Sequence, residues 1–106
     1  MTHPFRTAVE ARDLQALSAT LAEQVVFSSP VAFQPFRGRA DVTEVLGNVL
    51  DVFERFDYTD EFEADGSHAL VFRASVGGRT VQGLDYLRFD EDGLVSELAV
   101  MVRPLS

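Results

Sequence analysis

Asp85 is the side chain with the clearest potential for chemistry in this sequence. It lies in the run Val81–Phe89, where the order of residue types predicts a β-strand. Side chains alternate between the two faces of a strand, so Asp85 shares its face with Val81, Gly83, Leu87 and Phe89. That face is otherwise apolar, and an ionised carboxylate without a partner is costly to bury there. The sequence therefore predicts a pocket that contains an acid.

Two interpretations of Asp85 remain open at this point. In the first, desolvation raises its pKa, and the neutral carboxyl donates a hydrogen bond to a ligand carbonyl. In the second, Asp85 is a structural acid satisfied by a neighbouring Arg, Tyr or backbone N–H. The first interpretation predicts that Asp85→Asn keeps ligand binding, whereas Asp85→Leu weakens it.

Asp60 is a candidate for a second inward carboxylate. In the predicted strand it shares its face with Tyr58 and Phe62, so it could serve as a substitute general base. The alternative is a solvated charge near the start of a strand. By the same alternation, Glu61 and Glu63 are predicted to be exposed.

His68 is a further candidate acid or base. It begins the following predicted strand and shares its face with Leu70 and Phe72, so it could lie at the rim of a pocket and titrate near neutral pH. The alternative is a solvated histidine beside a turn. His3 lies near the N-terminus, and two histidines in a chain without cysteine form no recognisable metal site, so neither a metal nor a cofactor is expected.

Ser29 is a possible polar group of the same pocket, or simply a turn residue. It follows a predicted strand, but no Gly-x-Ser-x-Gly elbow surrounds it and no adjacent base is identifiable. The nine phenylalanines and no tryptophan suit either an apolar pocket or ordinary core packing. We expect the ligand-binding residues to be Phe5, Phe27, Ser29, Phe53, Tyr58, Phe72 and Leu87.

Composition limits the class of protein. The 106 residues, 46% of them hydrophobic, predict a single domain over 1–106 with one core, and the absence of cysteine excludes disulfides and thiolate sites. The formal net charge of −8 counts against binding to nucleic acid or to an anionic membrane. No apolar run approaches the roughly 20 residues of a membrane span, and no secretory leader is evident, so we expect a cytoplasmic protein.

Three helices are predicted before residue 57, where the apolar spacing changes. The first covers residues 4–11, and the second follows Asp13 as its N-cap, with an apolar stripe of Leu14, Leu17 and Leu21. A short strand over 25–28 and an irregular segment with two prolines come next. The third helix, over about 39–55, has the widest apolar stripe, formed by Val42, Val45, Leu46, Val49, Leu50, Phe53 and Phe56.

Four strands are predicted after the helices, because the apolar period falls close to two. Glycine-containing turns separate them, and Gly77-Gly78 is a typical hairpin signal. The predicted strands cover residues 57–64, 68–76, 79–89 and 94–102. Helices first and a strand meander second predict an α+β fold with the helices on one face of an antiparallel sheet.

The last two predicted strands are partly apolar on both faces. Leu98, Val100 and Val102 share one face with Leu94, whereas Ala99 and Met101 lie on the other. A sheet covered on one side only usually alternates more cleanly. We therefore expect the second face to meet a homodimer partner, the alternative being scattered exposed apolar residues.

Four short motifs, in this order along the chain, resemble the NTF2-like superfamily, with the SnoaL-like and ketosteroid isomerase-like branches nearest. They are Ala11–Leu17 between the first two helices, Val25–Pro30, Phe36–Arg39 before the third helix, and Leu84–Phe89 before an acidic turn. The resemblance implies a cone-shaped domain in which a curved antiparallel sheet packs on three N-terminal helices. It also implies an apolar cavity for a small molecule of steroid, polyketide or terpenoid type.

Only one of the catalytic groups of the isomerase is matched in this sequence. Ketosteroid isomerase uses an Asp as general base, and a Tyr with a protonated Asp as oxyanion hole. Asp85 lies where the protonated Asp would be, but the base position falls on Ser29 and the Tyr position near Phe5. The resemblance thus favours a binding protein without the usual base. The alternatives are an isomerase, cyclase or hydratase that uses Asp85 with Asp60 or His68, and a dimeric scaffold without a ligand.

Overall fold

The computed structural model describes residues 3–106 and confirms the α+β prediction. The helices lie at the N-terminal end of the chain and the long strands at the C-terminal end. In chain order the elements are α1 (Pro4–Ala11), α2 (Leu14–Ala19), β1 (Leu21–Ser28), β2 (Phe36–Arg37), α3 (Arg39–Val52), β3 (Arg55–Ala64), β4 (Ser67–Val76), β5 (Arg79–Phe89) and β6 (Val95–Pro104). Within these residues, no helix has the length and apolar character needed to cross a membrane.

One six-stranded sheet forms the wall of the domain, in the order β2-β1-β6-β5-β4-β3. Strands β3 to β6 are a meander of antiparallel neighbours, and β1 joins the sheet by pairing in parallel with β6. Gly77 and Gly78 both have positive φ, at 56° and 78°, as the tight turn between β4 and β5 requires. Interruptions of the strand pairing in β1, β3 and β6 give the sheet its curvature.

Side-chain hydrogen bonds fix where the first two helices begin. The amide of Phe5 donates to His3 Nδ1 at 3.0 Å, and the amide of Ala16 donates to Asp13 Oδ1 at 3.1 Å. The predicted N-cap at Asp13 is therefore confirmed. Arg12, which lies between the helices in the left-handed region at φ 52°, ends α1.

The predicted end of α3 was too late. The helix ends at Val52 rather than near residue 55, and Phe53 is already extended at φ −78° and ψ 124°. The guanidinium of Arg12 donates to the carbonyl oxygens of Leu50 and Phe53. It thus supplies hydrogen bonds to carbonyls that have no partner within the helix. Apolar spacing alone ran on into β3 because Phe56, on that strand, also packs against the core.

The predicted strand over 25–28 was too short. Strand β1 begins at Leu21, which the sequence analysis assigned to the stripe of the second helix. Helix α2 ends earlier because the hydroxyl of Thr20 donates to the carbonyl of Leu17 at 2.7 Å. The short strand β2 was not predicted at all, since two residues give no detectable period.

The prediction that Leu94 shares a face with Leu98 was also wrong. Val95 is fully buried, Leu98 is nearly so, and Leu94 is only half-buried. A shift in pairing between Arg88 and Phe89 on the neighbouring strand breaks the alternation at this point. The core lies between the helices and the inner face of the sheet, and its fully buried side chains include Phe5, Leu17, Leu21, Val25, Val42, Leu70 and Leu87.

Gly83 is required by the position of the Phe72 ring. A Cβ on Gly83 would lie 2.0 Å from Phe72 Cζ, and that ring is stacked on Phe56 with centroids 4.6 Å apart. We expect Gly83→Ala to lower the free energy of unfolding by about 1–3 kcal/mol, because the Phe72 ring must leave its stack on Phe56 to make room for the new Cβ. Urea denaturation measures this change.

Gly47→Ala is the matched control for that measurement. Its Cβ would meet Leu14 Cδ1 at 2.9 Å, but Leu14 is 43% exposed and its end can turn away. Alanine is also preferred over glycine inside a helix by about 1 kcal/mol. Equal losses of stability in the two variants would contradict the packing argument for Gly83.

Candidate functional site

A cavity of about 400 Å³ lies between the inner face of the sheet and the helices. Its wall is almost entirely apolar, and Ser29, Tyr58 and Asp85 are the side chains of the described wall that carry polar groups. The expected ligand-binding residues Phe5, Phe27, Ser29, Phe53, Tyr58 and Phe72 all lie in this wall. Leu87 does not, because it is fully buried within the core.

Asp85 is one of the residues that form this wall, and it is only 7% exposed. The hydroxyl of Tyr58 donates a hydrogen bond to Asp85 Oδ2 at 2.7 Å. Tyr58 pairs with Phe72 across β3 and β4, and Phe72 pairs in turn with Gly83, two residues before Asp85. The two polar groups therefore meet diagonally across β4, within the reach of a long aromatic side chain.

Burial dominates the protonation of this pair. Desolvation raises the pKa of Asp85 from 3.8 to about 7, and the hydrogen bond from Tyr58 acts in the opposite direction. The pKa of Tyr58 is raised as well, by burial first and then by the charge of Asp85. Near neutral pH, Asp85 thus exists in both forms, while Tyr58 keeps its proton.

Asp60 was expected to face inward, and the structure overturns this expectation. The pairing of β3 with β4 shifts between Tyr58 and Asp60, which leaves Thr59 as an extra residue. Asp60 is consequently exposed, and the hydroxyl of Thr59 donates to its Oδ2 at 3.0 Å. The same shift turns Glu61 inward, with a side chain only 14% exposed, so the expectation of an exposed Glu61 was wrong as well.

His68 lies away from the cavity, in a cluster of charged side chains at the other end of β3 and β4. Its Nε2 is 3.3 Å from Glu63 Oε1, and its Nδ1 is 3.8 Å from Glu61 Oε2. These three residues could each offer one ligand atom to a metal ion, with the atoms within 4.8 Å of one another. Arg6, however, already forms an ion pair with Glu61 at 2.8 Å, so one carboxylate of this cluster has its positive charge from the protein itself.

Arg6 connects this network to the cavity. Its guanidinium carbon lies 5.4 Å from the centroid of the Tyr58 ring, within the range of a cation–π contact. The contact of Arg6 with Tyr58 was not predicted from the sequence. The four-residue spacing of Arg6 from Glu10 was nevertheless a visible signal of an ordered side chain.

Ser29 is both a polar group of the pocket and a turn residue, the two alternatives that the sequence left open. It belongs to the cavity wall, and its Oγ accepts a hydrogen bond from the amide of Val31 at 3.3 Å. The sequence also named Tyr58 only as a wall residue. The hydrogen bond of Tyr58 with Asp85 could not be predicted from the sequence, because it depends on the register of two hairpins.

Comparison with known proteins agrees with the fold. The family model described as the SnoaL-like domain matches residues 3–98, so this chain belongs to the SnoaL-like domain family. The four sequence motifs indicate the same family, so that prediction is confirmed. No curated protein matches the sequence.

Several solved structures share this fold. A steroid delta-isomerase from Pseudomonas aeruginosa is 39% identical with a TM-score of 0.89, covering 95% of this chain and 75% of that one. A protein with a cystatin-like fold from Silicibacter pomeroyi DSS-3 is 32% identical with a TM-score of 0.91, covering 96% and 72%. A SnoaL-like protein of unknown function from Burkholderia thailandensis E264 shares the fold at 20% identity and a TM-score of 0.75, covering 94% and 89%.

Asp85 makes the stability of the folded protein depend on pH. Its pKa is raised from 3.8 to about 7 on folding, so the unfolded chain releases this proton first. The free energy of unfolding therefore falls as pH rises from about 4 to about 7, and stays lowered above that. The difference between the two pKa values corresponds to at most about 4 kcal/mol.

We expect Asp85→Asn to remove this contribution, because an amide does not titrate. Urea unfolding at about pH 5 and about pH 8 should show the variant gaining stability over the wild type at the higher pH. Asp60→Asn is the control, since exposed Asp60 has no comparable burial. A wild type and an Asp85→Asn variant with parallel pH dependence would show that Asp85 is not desolvated as described.

Proposed function

We propose that this protein binds an apolar small molecule that carries one carbonyl or hydroxyl group, and that Asp85 recognises that group. The observation that supports this is a buried carboxyl with a pKa of about 7 in the wall of an otherwise apolar cavity of about 400 Å³. Cavities of this size and character are typical of small-molecule sites, which counts against a scaffold with a collapsed core.

The hydrogen-bonding capacity of the pair favours a ligand that accepts a hydrogen bond. Tyr58 has a single O–H donor, and it is directed to Asp85 Oδ2. A neutral Asp85 keeps a donor of its own that can be offered to a ligand oxygen. An ionised Asp85 has no proton to donate and also holds the Tyr58 proton. The neutral form is therefore the one that suits a ketone.

Steroid and terpenoid ketones with a single carbonyl have the required shape and polarity, because that carbonyl lies on a rigid apolar body, whereas a polyketide usually carries several oxygens. Support for the steroid class comes from the relative from Pseudomonas aeruginosa, which is described as a steroid delta-isomerase and is 39% identical. We choose 5α-androstan-3-one as the probe. The hydrocarbon 5α-androstane is its match without the carbonyl.

We expect the ketone to bind more tightly than the hydrocarbon below pH 7, by about fivefold to tenfold for one hydrogen bond. The preference should decline as pH rises through about 7, since Asp85 then loses its proton. Asp85→Asn should keep the preference at every pH, because its amide can donate, and Asp85→Leu should abolish it. Equilibrium dialysis of both probes checks this, and Asp60→Asn serves as the exposed-acid control.

Equal affinity for the two probes in all variants would remove Asp85 from ligand recognition. Failure of both probes to bind would argue against an apolar ligand of this size, and mass spectrometry of small molecules released from the denatured protein would then identify what copurifies. A ketone preference that grows above pH 7 would mean that the carboxylate, rather than the acid, contacts the ligand.

Enzymatic proton transfer is the second candidate, because a pKa of about 7 suits a general acid or base at neutral pH. Neither Asp60 nor His68 belongs to the described cavity wall, so Asp85 would have to act without them. An Asp85 base would need to be ionised, and turnover of a β,γ-unsaturated steroid ketone would then rise with pH through about 7. Such turnover, lost in Asp85→Asn, would favour the enzyme over the binding protein.

We also propose that two copies of the chain associate through the sheet face opposite the cavity. A shallow apolar groove supports this, with Val71, Leu84 and Met101 in its wall, and Met101 is 55% exposed. An apolar patch of this kind on a sheet is typical of a protein–protein contact.

Light scattering after size exclusion at micromolar concentration should give about twice the chain mass of 11.7 kDa. Leu84→Glu and Met101→Glu should yield monomers, because each places a charge in the groove. Val52→Glu is the control, since Val52 is 57% exposed but lies on α3, away from the sheet face that carries the groove. A monomeric wild type would contradict the proposed association.

A further inference from the structure

The segment between β1 and β2, residues 29–35, lies at the mouth of the cavity and is here called the mouth loop. Its first residues, Ser29, Pro30 and Val31, belong to the cavity wall. Yet Val31 is 93% exposed and Phe33 is 107% exposed. Large apolar side chains favour burial, so a fully solvated Phe33, two residues after Val31 of the cavity wall, is costly.

The composition of the mouth loop is unusual for a surface segment of this chain. Charged residues make up 25% of the sequence, but none occurs between Glu23 and Arg37. The loop itself reads Ser-Pro-Val-Ala-Phe-Gln-Pro. A charge-free, apolar loop on a protein with a net charge of −8 is suited to contact with apolar material rather than with water.

The mouth loop is anchored at its two ends and lightly held between them. Strands β1 and β2 fix the ends by pairing Phe27 with Phe36. Inside the loop, the amide of Val31 donates to Ser29 Oγ across a long 3.3 Å. Pro30 and Pro35 restrict only their own φ angles, so the four residues between them keep their backbone freedom. The loop can therefore move while its two ends stay fixed by the strands.

We propose that the mouth loop is a lid that closes over a ligand in the cavity, with Phe33 covering the opening. The inference rests on the proposed function, because the ligand supplies the apolar surface against which Phe33 packs. Closure excludes water from the Tyr58–Asp85 pair and so strengthens its hydrogen bond to the ligand. It also slows release of the ligand, since the lid must reopen first.

A tryptophan at position 33 reports lid closure directly, because the chain contains no tryptophan. On addition of 5α-androstan-3-one, we expect the emission of Phe33→Trp to shift to the blue and its quenching by acrylamide to fall. Phe62→Trp, at an exposed site outside the cavity wall, should change in neither respect. Phe33→Ala should release the probe at least about tenfold faster than the wild type.

Two fluorescence results would overturn the lid. In the first, equilibrium dialysis shows saturating binding of the ketone while the emission of Phe33→Trp stays that of a solvated indole. In the second, the indole becomes buried without ketone as protein concentration rises. That result would make the mouth loop a contact between copies of the chain.

A crosslink tests the lid without any ligand, which separates its failure from failure of the proposed function. The chain has no cysteine, so the pair Phe33→Cys and Val49→Cys introduces only the two intended thiols. Val49 lies in the cavity wall on α3 and is 38% exposed. Mild oxidation should give an intramolecular disulfide if the loop reaches across the mouth. The pair Phe33→Cys and Phe62→Cys should give none.

If the ketone fails to bind but the Phe33–Val49 crosslink forms, the lid stands and the ligand class is wrong. If that crosslink does not form while both thiols react freely with a small alkylating reagent, the loop does not reach α3 and the lid is overturned.

Discussion

The hydrogen bond between Tyr58 and Asp85 is the interaction on which the candidate site depends. A carboxyl placed in an apolar wall can keep its proton or find a donor, and here both solutions are partly used. Burial raises the pKa of Asp85 and the Tyr58 hydroxyl lowers it, so neither form of the acid is strongly favoured at neutral pH.

Several otherwise unrelated features of the fold make that hydrogen bond possible. The lack of a side chain on Gly83 leaves room for Phe72, against whose ring Tyr58 packs edge-on. Arg6, which forms an ion pair with Glu61, lies over the Tyr58 ring and restricts its movement. Thr59 interrupts the pairing of β3 with β4 directly after Tyr58. The site is thus a product of side-chain packing and of a strand irregularity together.

Sequence periodicity predicted the parts of this arrangement that follow from regular strands and helices. Asp85 was expected to face inward on β5, and it does, because β4 and β5 pair without interruption from Ser67 to Val76. The prediction for Asp60 was wrong because one extra residue in β3 reverses every later side chain. Such an irregularity depends on the partner strand and leaves no mark in the local residue order. The contact of Tyr58 with Asp85 was hidden for the same reason, since it is set by pairing between strands.

The same pair also limits what chemistry the cavity can perform. An isomerase must remove a proton from carbon and, at that moment, stabilise negative charge on the ligand oxygen. When Asp85 is ionised and able to act as a base, the single donor of Tyr58 is directed to it and not to a ligand. Asp85 is the one carboxylic acid in the described wall, so no second acid there takes over either task. The geometry therefore supports recognition of a polar group by a neutral acid more directly than it supports proton transfer.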